Sequence, residues 1–417
     1  MILTTYSGVR AEEMTTLTLA DAVRRAEEWS LSLKKNAVDL NTARTANQNI
    51  WAEFFPSISA GAGLRHSIIP PSSAGGAPNI SLSAGLSLQL NAGLPAAIKL
   101  IRLAYETAMF DYEQSRQQLE LAVTKQFYTI ITEQHNLSIL KEKQAQTSRQ
   151  LQRDRARFEN GLLSELNYHL SRLSNESAKL DMNRALSNWA ETTEQFQSTL
   201  GFESGEQIHF EGALAVERVE IDGEYLIARY LPVRPDIVNA RRNLERLRLT
   251  ESRQSLSSRA PSLSLSTSWS ASALAPSSDS LSAGVSVNIP VEAWLPGTKS
   301  WQTVRSARAN TEKAELDLEE AMRSAKMSVR SLCANINNSW NSIETGRLRV
   351  EIAESAYAMA ERGFSQGTVE FLEMETARNS LSEARLQLLR EELSYKLMTL
   401  DLAAALNIAA DKLSAKD

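Results

Sequence analysis

The sequence predicts a mainly α-helical chain that carries part of a membrane β-barrel, as two repeats of long antiparallel coiled-coil helices with two β-strands in each. Three observations predict it. Landmarks recur in one order about 200 residues apart. Residues 96–160 hold neither Gly nor Pro, and their apolar side chains fall three and four apart. Four short segments alternate Ser or Gly with aliphatic residues, and no charge interrupts the alternation.

The repeat comes first because it organises everything else. Phe55-Pro56-Ser57-Ile58-Ser59 is answered by Ala260-Pro261-Ser262-Leu263-Ser264 at an offset of 205. The run from Ser81 to Leu88 is answered by Ser280 to Val287 at 199, and Leu94-Pro95 by Leu295-Pro296 at 201. Phe158-Glu159-Asn160-Gly161 matches Phe364-Ser365-Gln366-Gly367 at 206. The organisation is then an export-signal remnant or disordered N-terminus (1–16), repeat 1 (17–201), a Gly-bearing connector (202–225), repeat 2 (226–407) and a C-terminal tail (408–417).

Within repeat 1, residues 18–53 are predicted helical with a break near Trp29-Ser30. Strands follow at about 56–69 and 80–92, separated by a Pro-bounded loop. A single helix at about 96–160 carries Leu119, Val123, Phe127, Ile130 and Leu137 as its stripe. At 1.5 Å per residue it spans roughly 100 Å. Gly161 ends it, suited to the left-handed residue past a helix, and a further helix covers about 164–200. Repeat 2 has a helix from Arg234, strands at about 261–273 and 280–291, and helices at about 297–362 and 369–406. Gly363 to Gly367 form the turn between the last two.

The strands carry the functional information. One face collects Ile58, Leu82, Leu86, Leu88, Leu263, Leu281, Val285 and Val287, and the other collects Ser and Gly. A soluble sheet with one wet face normally carries charge there. Small polar residues facing in and aliphatics facing lipid, over about 9–11 residues per strand, is the outer-membrane barrel pattern. Trp269, Trp294 and Trp301 near the strand ends are candidate interface aromatics. A barrel of about eight strands is already small, so several chains must contribute.

Composition excludes other classes. The 45 basic and 50 acidic residues are scattered, which gives no footprint for nucleic acid. The one cysteine, Cys333, forms no internal disulfide and is read as a packing residue. No run of 18 apolar residues occurs, so no transmembrane helix is expected. The four histidines lie in separate elements without metal-ligand spacing, and no catalytic constellation is present. No metal, cofactor or enzymatic activity is expected.

Three segments resemble TolC-like outer-membrane efflux proteins over residues 17 to about 407. They are Leu17-Thr18-Leu19-Ala20-Asp21-Ala22-Val23, the stretch Arg234-Pro235-Asp236-Ile237-Val238-Asn239-Ala240-Arg241, and the turn from Phe364 to Glu373. The resemblance implies a homotrimer whose twelve strands close one barrel in the outer membrane, with an α-barrel tunnel extending into the periplasm. It implies a passive channel for an inner-membrane RND or ABC transporter, reached through a periplasmic adaptor (membrane fusion) protein at the tip turns with Gly161, Gly363 and Gly367. It also implies a periplasmic gate ringed by acidic side chains. Carried over by position, the gate falls on Glu373 with Asn167 as its first-repeat counterpart. Where the family has a second acid, this chain has Thr376, and Glu370 supplies the other carboxylate. Phe158 and Phe364 occupy equivalent places before the two turns. The alternative is a soluble periplasmic coiled-coil scaffold or adaptor, which would not need the uncharged alternation of the four strands.

Overall fold

Capping residues and glycines set where helices begin and end in the computed structural model. The structure describes residues 15–65, 79–203, 206–272, 279–408 and Leu413. Helix α1 (Leu19–Trp29) starts at Thr18, whose hydroxyl accepts from the Asp21 N–H at 3.3 Å. The break expected near Trp29-Ser30 is Ser30 itself, which caps α2 (Leu31–Gln48) through Leu33 N–H. These caps satisfy N–H groups that a helix start leaves open. The long helix α3 (Leu94–Glu159) and helix α4 (Glu165–Thr199) follow, then α5 (Gly223–Tyr230) and α6 (Pro235–Arg259). The second long helix is α7 (Lys299–Gln366) and the last is α8 (Phe371–Leu406).

The chain divides into two units. One comprises residues 1–35, 113–235 and 325–417, and the other 36–112 and 236–324. In the first, Phe127, Ile130, Ile131, Phe196, Leu200 and Phe210 are buried together with Ala22 and Ala26. A parallel pair of three-residue strands, β1 (Thr15–Leu17) and β4 (Ile208–Phe210), lies against this cluster. Thr15 and Thr16, assigned by sequence to the N-terminal remnant, therefore belong to the fold, and the connector contains β4 and the start of α5. The Tyr395 hydroxyl of α8 donates to Glu217 O at 3.0 Å and accepts from Val219 N–H at 2.9 Å, which ties the connector down.

The second unit holds one four-stranded antiparallel sheet in the order β2-β3-β5-β6, from β2 (Ser57–Arg65), β3 (Asn79–Leu90), β5 (Ser262–Ser272) and β6 (Ser280–Asn288). The extension of the first strand expected over 66–69, and the loop over 70–78, lie outside the described residues. After β6 the chain leaves the sheet at Asn288, short of the strand end expected at about 291, and Glu292–Trp294 then form a short 3-10 turn. Among the described residues no helix is long and apolar enough to cross a membrane.

Candidate functional site

The sheet register puts like with like. Leu86 lies opposite Ile58 on one side and Thr267 on the other, Leu88 opposite Leu265, and Leu265 opposite Val285. Successive strand residues point to opposite faces, so the aliphatic residues of all four strands share one face. That face is bare: Leu281 is 78% and Ile58 72% exposed, and Leu82, Leu86, Val285 and Val287 are exposed as well. Leu88 and Leu263 share the face but are half-buried. An aliphatic face of this size left in water is the costly arrangement that soluble chains avoid.

The opposite face satisfies its own hydroxyls. Ser57 and Ser87 hydroxyls lie 2.6 Å apart, Ser268 and Ser282 2.8 Å, and Ser270 and Ser280 2.8 Å. The Ser81 hydroxyl donates to Gly63 O at 3.3 Å, and Ser83 to Gly61 O at 3.4 Å. A methyl group at Gly61 would meet the Ser83 hydroxyl at 3.1 Å, so glycine opposite serine keeps this wall low. From Ser57 to Gly63, and along β3, β5 and β6, this face is polar and carries no charged residue.

The hairpin ends form the second candidate site. Leu162 N–H donates to Arg157 O at 2.8 Å and Gly161 N–H to Phe158 O at 2.9 Å, with Gly161 at φ +74°. At the other hairpin Thr368 N–H donates to Gly363 O at 2.9 Å and Gly367 N–H to Phe364 O at 3.2 Å, with Gly367 at φ +77°. Both are the double-bonded C-terminal stop that needs a left-handed residue, which glycine adopts without steric cost. Gly363, expected within the turn, is instead in the last turn of α7. It is glycine because Val369 packs there: an added methyl would come within 2.4 Å of the Val369 side chain.

The aromatic pair expected before the turns is present at equivalent places, each with its own partner. Phe158 stacks on Tyr168 at 5.0 Å, and Phe364 meets Phe371 edge-on at 5.8 Å. Phe371, Met374 and Ala360 are buried against Phe364 and Val369. Glu370 and Glu373 are both exposed. Glu370 is the extended cap residue before α8, and Glu373 lies in the first turn. This placement arises because α7 runs through Gln366 and the left-handed Gly367 follows, so the next helix starts at Phe371. Asn167 is half-buried, and its N–H is held by the cap Ser164 at 3.3 Å.

Sequence reasoning missed a buried polar network in the same unit. Asp154 of α3 is 0% exposed and Arg378 of α8 is 4% exposed. Arg378 donates to the Ser174 hydroxyl at 2.8 Å and pairs with Glu375, whose other oxygen accepts from Ser174 at 2.5 Å. Gln150 donates to Asp154 at 2.8 Å and accepts from Arg153 at 2.7 Å. Burial holds the Arg378 guanidinium below its ordinary value, opposed by Tyr357, Glu361 and Asp154 nearby. The signal was a polar interruption in core stripes. Leu140, Thr147 and Asp154 are spaced by sevens, and Arg378 continues the series Phe371, Met374.

Comparison with known proteins places this geometry. A family model described as Outer membrane efflux protein matches residues 22–202 and 226–407. The chain is similar to outer membrane protein TolC of Vibrio cholerae, with 25% identity over 309 residues, 72% of this chain and 70% of that protein. Its fold is similar to that of CusC (TM-score 0.78, 16% identity, 97% of this chain and 96% of that one). It is also similar to the CmeC outer membrane channel of Campylobacter jejuni (TM-score 0.78, 15% identity, 94% and 88%). The open state of the MtrE outer membrane channel of Neisseria gonorrhoeae matches with TM-score 0.76, 15% identity, and 96% and 91% coverage.

Proposed function

The chain belongs to the outer membrane efflux protein family, and from that premise we propose that three copies close one twelve-stranded barrel and form a passive channel of a tripartite export system. The observation that carries this reading is the sheet: its aliphatic face is bare and uncharged, and its serine face satisfies its own hydroxyls. Lipid is the solvent in which the first face is stable, and a water-filled lumen suits the second. A single sheet of four strands leaves the outer edges of β2 and β6 unpaired. Backbone groups in lipid must all be paired, so the edges close against further copies. The channel lies in the outer membrane and extends into the periplasm. Its energy comes from an inner-membrane RND or ABC transporter, engaged through a periplasmic adaptor at the tips bearing Gly161, Gly363 and Gly367.

The same tip is the gate of this reading. Glu370 and Glu373 from three copies bring six carboxylates to the constriction, which favours cations. Phe158 and Phe364 hold the resting state by packing, and Asn167 is the uncharged counterpart in the first repeat. The carboxylates are solvated, so they act through charge and not through a bonded lock.

Fractionation with sizing in mild detergent tests the assembly: the account expects an outer-membrane trimer, and a soluble monomer would end it. Planar-bilayer recording tests the gate. Glu370→Ala with Glu373→Ala should weaken cation selectivity and raise single-channel conductance. Phe364→Ala should increase leakage with little change in selectivity. Wild-type conductance and selectivity in both variants would place the tip outside the conduction path.

A further inference from the structure

One end of the sheet has a chemistry that neither the aliphatic face nor the serine face explains. The β2 start, the β5 start and the β6 end lie together there by register. Trp51 and Phe55, just before β2, are exposed and meet edge-on at 5.5 Å. Just after β6, Ile289 and Val291 are exposed, and Trp294 is 63% exposed. An amphipathic aromatic band beside an aliphatic face marks the depth of lipid headgroups.

Two arginines, one just before β5 and one near the start of α7, sit over tryptophan rings. The Arg259 guanidinium sits 5.3 Å from the Trp294 ring centre, and Arg305 sits 5.1 Å from that of Trp301. Neither forms an ion pair with a carboxylate among the described residues, and the buried Arg259 Nε has no hydrogen-bond partner. A guanidinium held over an indole ring keeps terminal N–H groups for an anion, and phosphate matches that fork. The surrounding charge agrees. Segments 49–56, 91–105, 250–261 and 289–308 hold seven basic residues against three acidic, a net of +4, in a chain whose net charge is −5.

We propose that this end of the sheet binds phosphate headgroups of membrane phospholipids, with Arg259 on Trp294 and Arg305 on Trp301 as the two anion-holding pairs. The proposal rests on the barrel reading, since it needs these residues at a lipid surface. It makes the lipid a specific ligand at two defined points, beyond its part as solvent for the aliphatic face.

Native mass spectrometry of the delipidated full-length protein in mild detergent tests it, with phosphatidylglycerol, diacylglycerol of the same acyl chains, and inorganic phosphate as probes. Phosphatidylglycerol should bind and diacylglycerol should not. Inorganic phosphate at the lipid's concentration should fail to displace it. Arg259→Gln and Arg305→Gln should each weaken the lipid about fivefold, the equivalent of roughly 1 kcal/mol per basic residue near an anionic surface. Arg305 is exposed on a helix, so its substitution reads binding even where Arg259→Gln disturbs folding. Unchanged lipid affinity in Arg305→Gln, equal binding of diacylglycerol, or full displacement by inorganic phosphate would overturn the site. Failure of the wild type to enter phospholipid vesicles would bring down the barrel reading itself, and this proposal with it.

Discussion

The sheet and the hairpin tips handle polarity in opposite ways. In the sheet, aliphatic side chains are outside and serine hydroxyls pair with one another on the other face. In the hairpin unit, Asp154 and Arg378 are buried among helices and much of the exposed surface is charged. The difference teaches where the solvent is. Helices standing in water can place a charge inside when hydrogen bonds compensate it. A sheet meeting lipid tolerates no charge on its outer face and needs none on the inner one.

The largest effect is expected in the hairpin. Arg378→Ala leaves the half-buried Glu375 without its ion-pair partner and removes a positive charge that acts on buried Asp154, at a cost of about 3–5 kcal/mol, measured by denaturant unfolding followed through helical circular dichroism. Arg378→Met together with Glu375→Leu removes both members of the pair and should lose less than Arg378→Ala. If the double variant is the worse, the network does not act as a charge pair.

The next effect is in the sheet and turns on face alone. Leu86→Arg or Val285→Arg should cost roughly 2–4 kcal/mol at mid-depth of the bilayer, read as loss of folded trimer in vesicles. Ser87→Arg or Ser286→Arg, one residue away in each strand, should assemble normally and change conductance only. Equal damage at both pairs would mean that the faces are exchanged.

The smallest effect sharpens the electrostatic side of the contrast. Burial raises the Glu133 carboxyl above its ordinary value, and the Thr192 hydroxyl bonded to it opposes the rise. A raised folded-state value means that folding favours the protonated form. The penalty is therefore full above that value and fades as pH falls toward the unfolded value of about 4.3. Glu133→Gln should give a small gain in stability at neutral pH that disappears in acid. A gain that persists at low pH would assign it to something other than charge.

Much of the fold was legible because its signals are local and repeated. Ser-Leu alternation marks a strand by itself, and Gly161 and Gly367 mark helix stops by their conformation. What was illegible depends on contacts distant in sequence. Strand β1 pairs with β4 over only three residues, too short a run to stand out from the connector. The Asp154–Arg378 network sits in stripe positions where an amphipathic reading expects apolar residues, so its polar members were passed over. Glu370 and Glu373 were assigned to a gate by resemblance alone. Their positions as a cap residue and a first-turn residue follow from α7 running through Gln366 before the left-handed Gly367, which spacing alone does not encode.

The central claim is that the two faces of one sheet meet different solvents, and the single cysteine makes it directly measurable. Cys333 is buried, and burial holds its thiol above the ordinary value, which makes it a poor nucleophile. In a Cys333→Ser background, Ser87→Cys and Leu86→Cys would be reconstituted separately in vesicles and treated with a water-soluble maleimide. The account predicts rapid labelling at position 87 and protection at position 86 until detergent is added. Labelling at equal rates at both positions, or protection at 87 with labelling at 86, would contradict it.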